Sequence, residues 1–438
     1  MGDKVTENIR HHIQAPRRKD QRIPLGEALT VVDEISAKLS QLHRLKKLAT
    51  TGNLRRLQET VGDIELMGTA DNATEVIQAF VSLPQVKEVL ASGTTKASVI
   101  VSGGLQVDLR IVGHDSFGSI MQYSTGSKQH NINLRERAHR QGLELSEYGI
   151  TNLATGELEK FATEEAFYNR QGLEFIPPEL REGQQEVKMA EDGTIPKLVE
   201  QSDIKGDLHV HTNWSDGRSS IEAMVLAAKA LGYQYLGITD HSGGHGIAHG
   251  LDTERLRQQI LEIKELSQRI SGIHIFSGIE VDIRANGSLD VPDELLAELD
   301  IVTAAVHSGM KQRQEQITRR IIKAIENPNV DLLAHPTCRL IPDREPVAVD
   351  MEAIFRAAAK TNTMLEINAM PSRLDLKDIH TYRARELGVK LVINTDAHSH
   401  EHLEYIRFGI GVAKRGWCQP QDIVNTRPLK EIIACLRS

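Results

Sequence analysis

The stretch GDLHVHTNWSDG, residues 206–217, ends an apolar run on two histidines, His209 and His211, and adds Asp216 a few residues later. Side chains two apart on a strand share a face, so both imidazoles point the same way. A lone histidine at a strand end is more often a local cap than a ligand. Six further segments follow the same plan: YQYLGITDH, HIFSGIEVDI, LDIVTAAVHS, VDLLAHP, MLEINA and KLVINTDAH. They end on Asp240 and His241, Glu280, His307, His335, Asn368, and Asp396 with His398. Helical periodicity fills the intervals, and strand–helix–strand repetition implies parallel strands joined by right-handed crossovers. In a parallel α/β barrel the carboxyl ends of the strands open on one face, so these side chains converge there. Imidazole with carboxylate suits zinc, manganese or iron, and the set exceeds the roughly four to six ligands one such ion takes. More than one ion is expected.

The first half of the chain reads differently. LGEALTVVDEISAKLSQL carries apolar residues at helical spacing, while DIELMG and VIVSGGLQVDLRIV read as strands, the latter two around a Gly-Gly turn. That half is α+β. Asp63 and Glu65 lie two apart on one of these strands and face the same side, and Asp108 lies in QVDLRIV. Alternating acids are by themselves usually a strand's solvated face. The polar stretch QQEVKMAEDGTIPKLVEQS, beginning at Gln184, reads as a linker.

Composition bounds the reading. A chain of 438 residues is too long for one ordinary core and should divide into domains of about 100 to 200 residues. A net charge of -8 and a pI near 6.2 supply no global attraction for nucleic acid. Binding of that kind has to come from a local basic patch, such as RHHIQAPRRKDQR at residues 10–22, or from metals masking carboxylates. Three cysteines without a CxxC pair suit a reducing compartment, and the cytoplasm is the expected location. No apolar run approaches the roughly 20 residues of a membrane span. With 4% aromatic residues, stacking platforms for single strands are few.

The order HVH, TDH, strand-end Glu, VHS, AHP and TDAH resembles the PHP (polymerase and histidinol phosphatase) domain of metal-dependent phosphoesterases, from about Ile204 to the C terminus. The resemblance implies a distorted parallel (β/α)7 barrel. It implies one metal on His209, His211, Glu280 and Asp396, and a second on Asp216, His241 and His335. Glu280 would bridge to a third held with His307 and His398, the ions being manganese or zinc. Closely spaced ions lower the pKa of water and neutralise attacking and leaving oxygens, the chemistry of phosphate-ester hydrolysis. Arg339 and Arg373, on loops after ligand-bearing strands, are candidates to steady phosphate oxygens.

The first half resembles the palm of family X DNA polymerases, where Asp63, Glu65 and Asp108 would be the acidic triad for magnesium. YSTGSKQHNINLRERA, residues 123–138, is similar to the nucleotide-binding turn and helix, and EFIPPELREG, residues 174–183, to the thumb end of bacterial members. Gly52, Arg55, Arg56, Gly126 and Ser127 are then the expected phosphate or DNA contacts. Departures are specific. Gly52-Asn53-Leu54-Arg55-Arg56-Leu57 replaces the usual Gly-Ser-x-x-Arg-Gly, the second palm acid is Glu65, and Ser124 replaces an aromatic residue. IRHHIQAPRRKDQRIP matches only the tail of the segment that normally precedes the palm, so the helix-hairpin-helix elements are expected to be missing.

The expected organisation is a remnant at 1–24, palm at 25–142, thumb at 143–183, linker at 184–203 and PHP barrel at 204–438. The expected function is a metal-dependent phosphodiesterase acting on single-stranded or primed DNA. It is most of all a 3′–5′ exonuclease of DNA repair, with 3′-phosphatase or abasic-site cleavage as further activities, weak or absent templated synthesis, and dNTP binding left open. The alternatives are a small-molecule phosphatase of the histidinol-phosphatase type and a non-catalytic DNA-binding scaffold.

Overall fold

Seven of the apolar segments become strands for a simple reason: each is a short run of β-branched and leucine residues bounded by polar or turn residues. In the computed structural model, which describes residues 22–244 and 248–436, they form one seven-stranded parallel sheet in sequence order. With the five strands of the first half taken as β1 to β5 below, the barrel strands are β6 (Gly206–Val210), β7 (Tyr235–Ile238), β8 (His274–Asp282), β9 (Ile301–Ala305), β10 (Leu332–Leu333), β11 (Met364–Asn368) and β12 (Leu391–Asn394). Tyr235 lies beside His274, Gly278 beside Ile301 and Leu365 beside Leu391, and the register shifts once between β6 and β7, between Asp207 and Val210. A parallel bridge between Val210 and Ala397 closes the ring. The expected (β/α)7 barrel is therefore present.

One side chain from each strand, Leu208, Tyr235, Phe276, Ile301, Leu332, Met364 and Val392, joins Val424 and Ile432 in a single apolar cluster. These residues sit early in their strands, so they fill the N-terminal end of the barrel. The helix Leu429–Leu436 supplies Ile432 to that cluster, with Leu429, Ile433 and Leu436 packed against it. This leaves the opposite end for polar groups. Helices Thr253–Arg269, Gln314–Ile325 and Met351–Thr361 lie between the strands, each burying one apolar stripe, and helix Ile406–Arg415 follows the last strand, buried over most of its surface.

In the first half, β1 (Leu45–Thr50), β2 (Ile64–Ala70), β3 (Val86–Ser92), β4 (Lys96–Val101) and β5 (Gln106–Ile111) form a sheet in the order β1-β2-β5-β4-β3. β2 and β5 are parallel neighbours and the other pairs are antiparallel. Gly103 and Gly104, both at positive φ, make the turn between β4 and β5 that the sequence suggested. Beyond the sheet, helix Lys128–Arg140 starts at Ser127, whose hydroxyl accepts from the His130 N–H at 3.2 Å. A three-stranded meander follows, over Leu143–Ser146, Gly149–Asn152 and Leu158–Glu159.

The stretch expected to be a linker is structured. Helix Glu186–Asp192 runs through it with Glu186 and Ala190 buried, and the two compact units of the chain meet at Ile195 and Pro196. Glu186 is buried because His130 Nδ1 lies 2.8 Å away and the Gly183 N–H donates to it at 2.8 Å. Downstream, Leu198 and Val199 are buried, Val199 donating from its N–H to the Cys418 carbonyl. Most of the basic stretch at residues 10–22 lies outside the described residues.

Candidate metal centre

The polar end of the barrel gathers all nine expected ligands. His209 and His211 leave β6 with their Nε2 atoms 3.1 Å apart, and Asp396 Oδ1 stands 3.0 Å from His211 Nε2 and 3.7 Å from His209 Nε2. Glu280, fully enclosed near the end of β8, places Oε2 3.7 Å from His209 Nε2, 3.6 Å from His211 Nε2 and 2.7 Å from His241 Nδ1. Its Oε1 lies 3.3 Å from His307 Nε2 and 2.9 Å from His335 Nε2. Asp216 completes the set at 3.6 Å from His241 Nε2 and 3.3 Å from His398 Nε2.

The grouping differs from the expected one. Ligand atoms of His209, His211 and Asp396 fall within 4.8 Å of one another, as do those of His241, Glu280 and His307, and those of His211, Asp216, His241 and His398. His398 therefore sits with Asp216 and stacks on His211 at 4.3 Å instead of joining His307, and His335 approaches Glu280 instead of Asp216. The reason is reach across the ring. His398 follows β12, which neighbours β6 and the loop carrying Asp216, while His335 follows β10, closer around the barrel to β8 and β9.

The donor set fits divalent cations. His211 Nδ1, on the Asp216 side of its ring, is buried with no hydrogen-bond partner, an arrangement that is costly for a polar atom and is relieved by coordination. Burial pushes the Glu280 and Asp396 carboxyls up, yet the surrounding imidazoles hold both well below the usual range. Burial together with the charges of His398 and His241 pushes His211 down to about 4. His307 and His398 go the other way: burial lowers them, but Glu280 and Asp282 hold the first at about 9, and Asp216 and Asp396 hold the second at about 9. Protons and metal ions compete for the same imidazole lone pairs, so cations entering here displace protons. Backbone strain concentrates at the same place, with His335 at φ 29° and Asp396 at φ 53°.

Other expected residues take different places. Arg373 lies at the site, Nε 3.3 Å from Asp396 Oδ2 and 19% exposed in its side chain. Arg339 is buried, and its guanidinium donates to the carbonyls of Arg373 and Leu374, so it props the Arg373 loop and is not presented to a phosphate. Asp240 is not a member of the ligand groups; it accepts from Thr212 and Ser215, holding the loop between His211 and Asp216. Glu366, fully buried two residues before Asn368 on β11, was not singled out in the sequence. The signal was a lone acid inside an apolar strand on the same face as Asn368.

In the first unit, Glu65 and Asp108 are register partners on β2 and β5 with their side chains adjacent, and Asp63 just precedes β2. Thr51 donates to Glu65 at 3.1 Å, and Ser98 and Gln106 donate to Asp108. The three acids are not among the groups whose ligand atoms converge to metal-binding distance. Gly52 and Gly126 adopt positive φ at 60° and 68°. Ser127 is spent as a helix cap. Arg55 pairs with Glu164 and donates to Thr125, while Arg56 pairs with Glu182 at 3.0 Å and donates to the Thr125 carbonyl. Both arginines, expected to meet phosphate, are committed to the protein's own acceptors.

A family model described as the PHP domain matches residues 207–370, and one described as the DNA polymerase beta thumb matches residues 120–182. The chain is 43% identical over 439 residues to the DNA polymerase/3′-5′ exonuclease PolX of Bacillus subtilis (strain 168), spanning the whole of this chain and 77% of that protein. The chain belongs to the bacterial family X DNA polymerases with a PHP domain. Against this family X chain, a protein named "Probable phosphatase" from Thermoanaerobacter sp. (strain X514) is 30% identical over 232 residues, covering half of the chain and 89% of its own length. A second of that name, from Caldanaerobacter subterraneus, is 30% identical over 208 residues, covering 44% of the chain and 75% of its own length. Among the described residues, no helix is long and apolar enough to cross a membrane.

Proposed function

We propose that this chain is a metal-dependent 3′–5′ exonuclease acting on DNA, with its chemistry in the barrel and little templated synthesis from its palm. The observation that carries the reading is the joining of three ligand groups through His211 and His241 at one end of the barrel. Divalent cations bound there supply Lewis acidity toward phosphate oxygens and a nucleophilic water at neutral pH. The protein holds Glu280, Asp216 and Asp396 ionised, and Arg373 stands beside Asp396 where a guanidinium can take a phosphate oxygen in two hydrogen bonds. Cleavage at a 3′ phosphate or an abasic site uses the same geometry and is proposed as a secondary activity in repair.

Weak synthesis is supported by the first unit. Glu65 and Asp108 are neighbours across β2 and β5, but the three palm acids do not form a group with ligand atoms at metal-binding distance, and Arg55 and Arg56 are held by Glu164 and Glu182. Glu65 adds a methylene to the aspartate of the usual pattern, displacing a carboxylate by roughly 1 Å, which can cost about a hundredfold in a geometry-limited step.

A second reading, a small-molecule phosphatase, is favoured by the relatives named as probable phosphatases, which cover half of the chain or less but most of their own length. End-labelled single-stranded and primed DNA with manganese, beside histidinol phosphate, separates the two. A ladder shortening from the 3′ end carries the exonuclease, and phosphate released only from the small ester carries the phosphatase. Retardation of DNA without products would instead leave a binding scaffold. His209→Ala combined with Asp396→Ala removes two ligands of one group and is expected to abolish cleavage, while Asp63→Ala leaves it largely intact. Cleavage lost in the palm variant and kept in the barrel variant would move the active site to the palm.

A further inference from the structure

We propose that Glu366 is a positioning residue of the metal centre: its carboxylate fixes the tautomer of His209, aims that ring at the first ligand group, and ties three ligands to one buried anion. The proposal rests on the reading of His209, His211 and Asp396 as metal ligands.

Glu366 lies inside β11, wholly shielded from solvent, and both its oxygens are occupied. Oε1 stands 2.7 Å from His209 Nδ1 and accepts from Asn394 Nδ2 at 3.1 Å. Oε2 accepts from the His335 N–H at 2.8 Å and from Asn368 Nδ2 at 3.0 Å. Asn394 Oδ1 accepts from the Leu208 N–H and Asn368 Oδ1 from the Met370 N–H, which leaves each Nδ2 to donate, so with the His335 N–H both Glu366 oxygens act as acceptors, as those of a carboxylate do. His209 Nδ1 must then carry its proton toward Glu366. The lone pair is left on Nε2, the atom that faces His211 Nε2 at 3.1 Å and Asp396 Oδ1 at 3.7 Å. A carboxylate behind a ligating imidazole fixes ring orientation and raises ligand basicity.

The same anion reaches two more ligands. Its bond to the His335 N–H holds a residue whose backbone sits at φ 29°. Asn368 Nδ2, donating to Glu366 Oε2, also lies 3.0 Å from Asp396 Oδ2, so one amide links the two carboxylates and steadies Asp396 at φ 53°. β11 lies between β10 and β12 in the sheet, which explains why a residue within it can reach ligands that follow both neighbours.

The test uses the full chain as Glu366→Gln and Glu366→Asp, with manganese affinity from chelator competition, metal content by elemental analysis, and thermal unfolding of the metal-free protein. The parent is expected to hold more than one ion. Glu366→Gln should weaken one of them by about 10- to 100-fold and leave the others near parental affinity. Glu366→Asp keeps the charge and should recover part of the loss. Unchanged affinity for every ion in Glu366→Gln overturns the proposal, as does a loss of all ions that tracks the fall in metal-free stability with Asp no better than Gln. A parent that binds one ion or none defeats the underlying metal reading instead. Should Glu366→Gln not fold, nitrogen-15 NMR of the zinc-loaded parent decides: His209 protonated on Nδ1 with metal on Nε2 supports the proposal, and the reverse tautomer refutes it.

Discussion

Asp240 shows how one side chain can decide whether ligands meet. Its Oδ1 accepts from the N–H groups of Thr212 and Ser215 and from the Ser215 hydroxyl, and its Oδ2 accepts from Thr212 Oγ1 and Gln259 Nε2. The loop it holds begins at His211 and carries Asp216, two members of one ligand group. Asp240→Ala leaves several buried donors unpaired at about 1–3 kcal/mol each, so a net loss on the order of 3–5 kcal/mol is expected in urea unfolding of the metal-free chain. Asp240→Asn should stay within about 1 kcal/mol of the parent, because Gln259 Oε1 has no hydrogen-bond partner and can accept the new amide after a flip. Equal losses in the two variants would show that the loop is not held through these bonds. The sequence marked Asp240 as a strand-end polar residue but could not separate a ligand from a residue that shapes a loop. That distinction depends on which donors fold around it, here Thr212 from one strand end and Gln259 from a helix.

At the scale of elements, three barrel strands open on the same short pattern: Gly206-Asp207-Leu208, Leu299-Asp300-Ile301 and Val330-Asp331-Leu332. Each aspartate accepts from a backbone N–H of the adjoining strand or its end: Asp207 from Thr395, Asp300 from Ser277, and Asp331 from Val302. The pattern stitches neighbours together where a parallel ladder begins or where the ring closes. It was visible in the sequence but unreadable without knowing which strands adjoin. Burial pushes the Asp331 carboxyl up to about 7, with the Val302 N–H opposing the shift. An acid raised in the folded state contributes stability below its unfolded value of about 3.8 and loses that contribution as pH rises through about 7. Asp331→Asn keeps an acceptor for Val302 and cannot ionise. Its stability should match the parent below about pH 4 and exceed it near pH 8 by on the order of 2–4 kcal/mol. A constant difference across that range, measured by denaturant unfolding, would refute the assignment.

The same scale explains which parts of the sequence reading succeeded. All seven strands were legible because each apolar run ends abruptly on a polar residue, and the parallel order follows from the helices between them. Ligand grouping was not legible, since His398 reaches Asp216 across the ring closure, a contact between residues 182 positions apart. The boundary between the units falls inside the segment taken as a linker, whose polarity hides a helix, Glu186–Asp192, with Glu186 buried through His130 and Gly183 of the same unit.

For the molecule as a whole, the two compact units divide at Ile195 and Pro196, the division expected of parts with separate cores. The barrel's own construction agrees. Its apolar end draws one residue from each of the seven strands and two from the segment after them, and its ligands all come from residues 209–398. Residues 196–438 expressed alone should therefore fold cooperatively and bind the same number of manganese ions as the full chain. Turnover of a small phosphodiester, which touches only the ligand groups and Arg373, should stay within about twofold of the parent. Turnover of an oligonucleotide depends on whatever grip the first unit adds, and each tenfold in apparent affinity corresponds to about 1.4 kcal/mol of lost contacts. A rise in KM of at least tenfold for primed DNA, with kcat little changed, is the expected signature of a first unit that presents DNA to the barrel. If the isolated barrel degrades primed DNA with the parent's KM, the palm and thumb contribute nothing to this reaction, and their retention needs a separate activity to explain it.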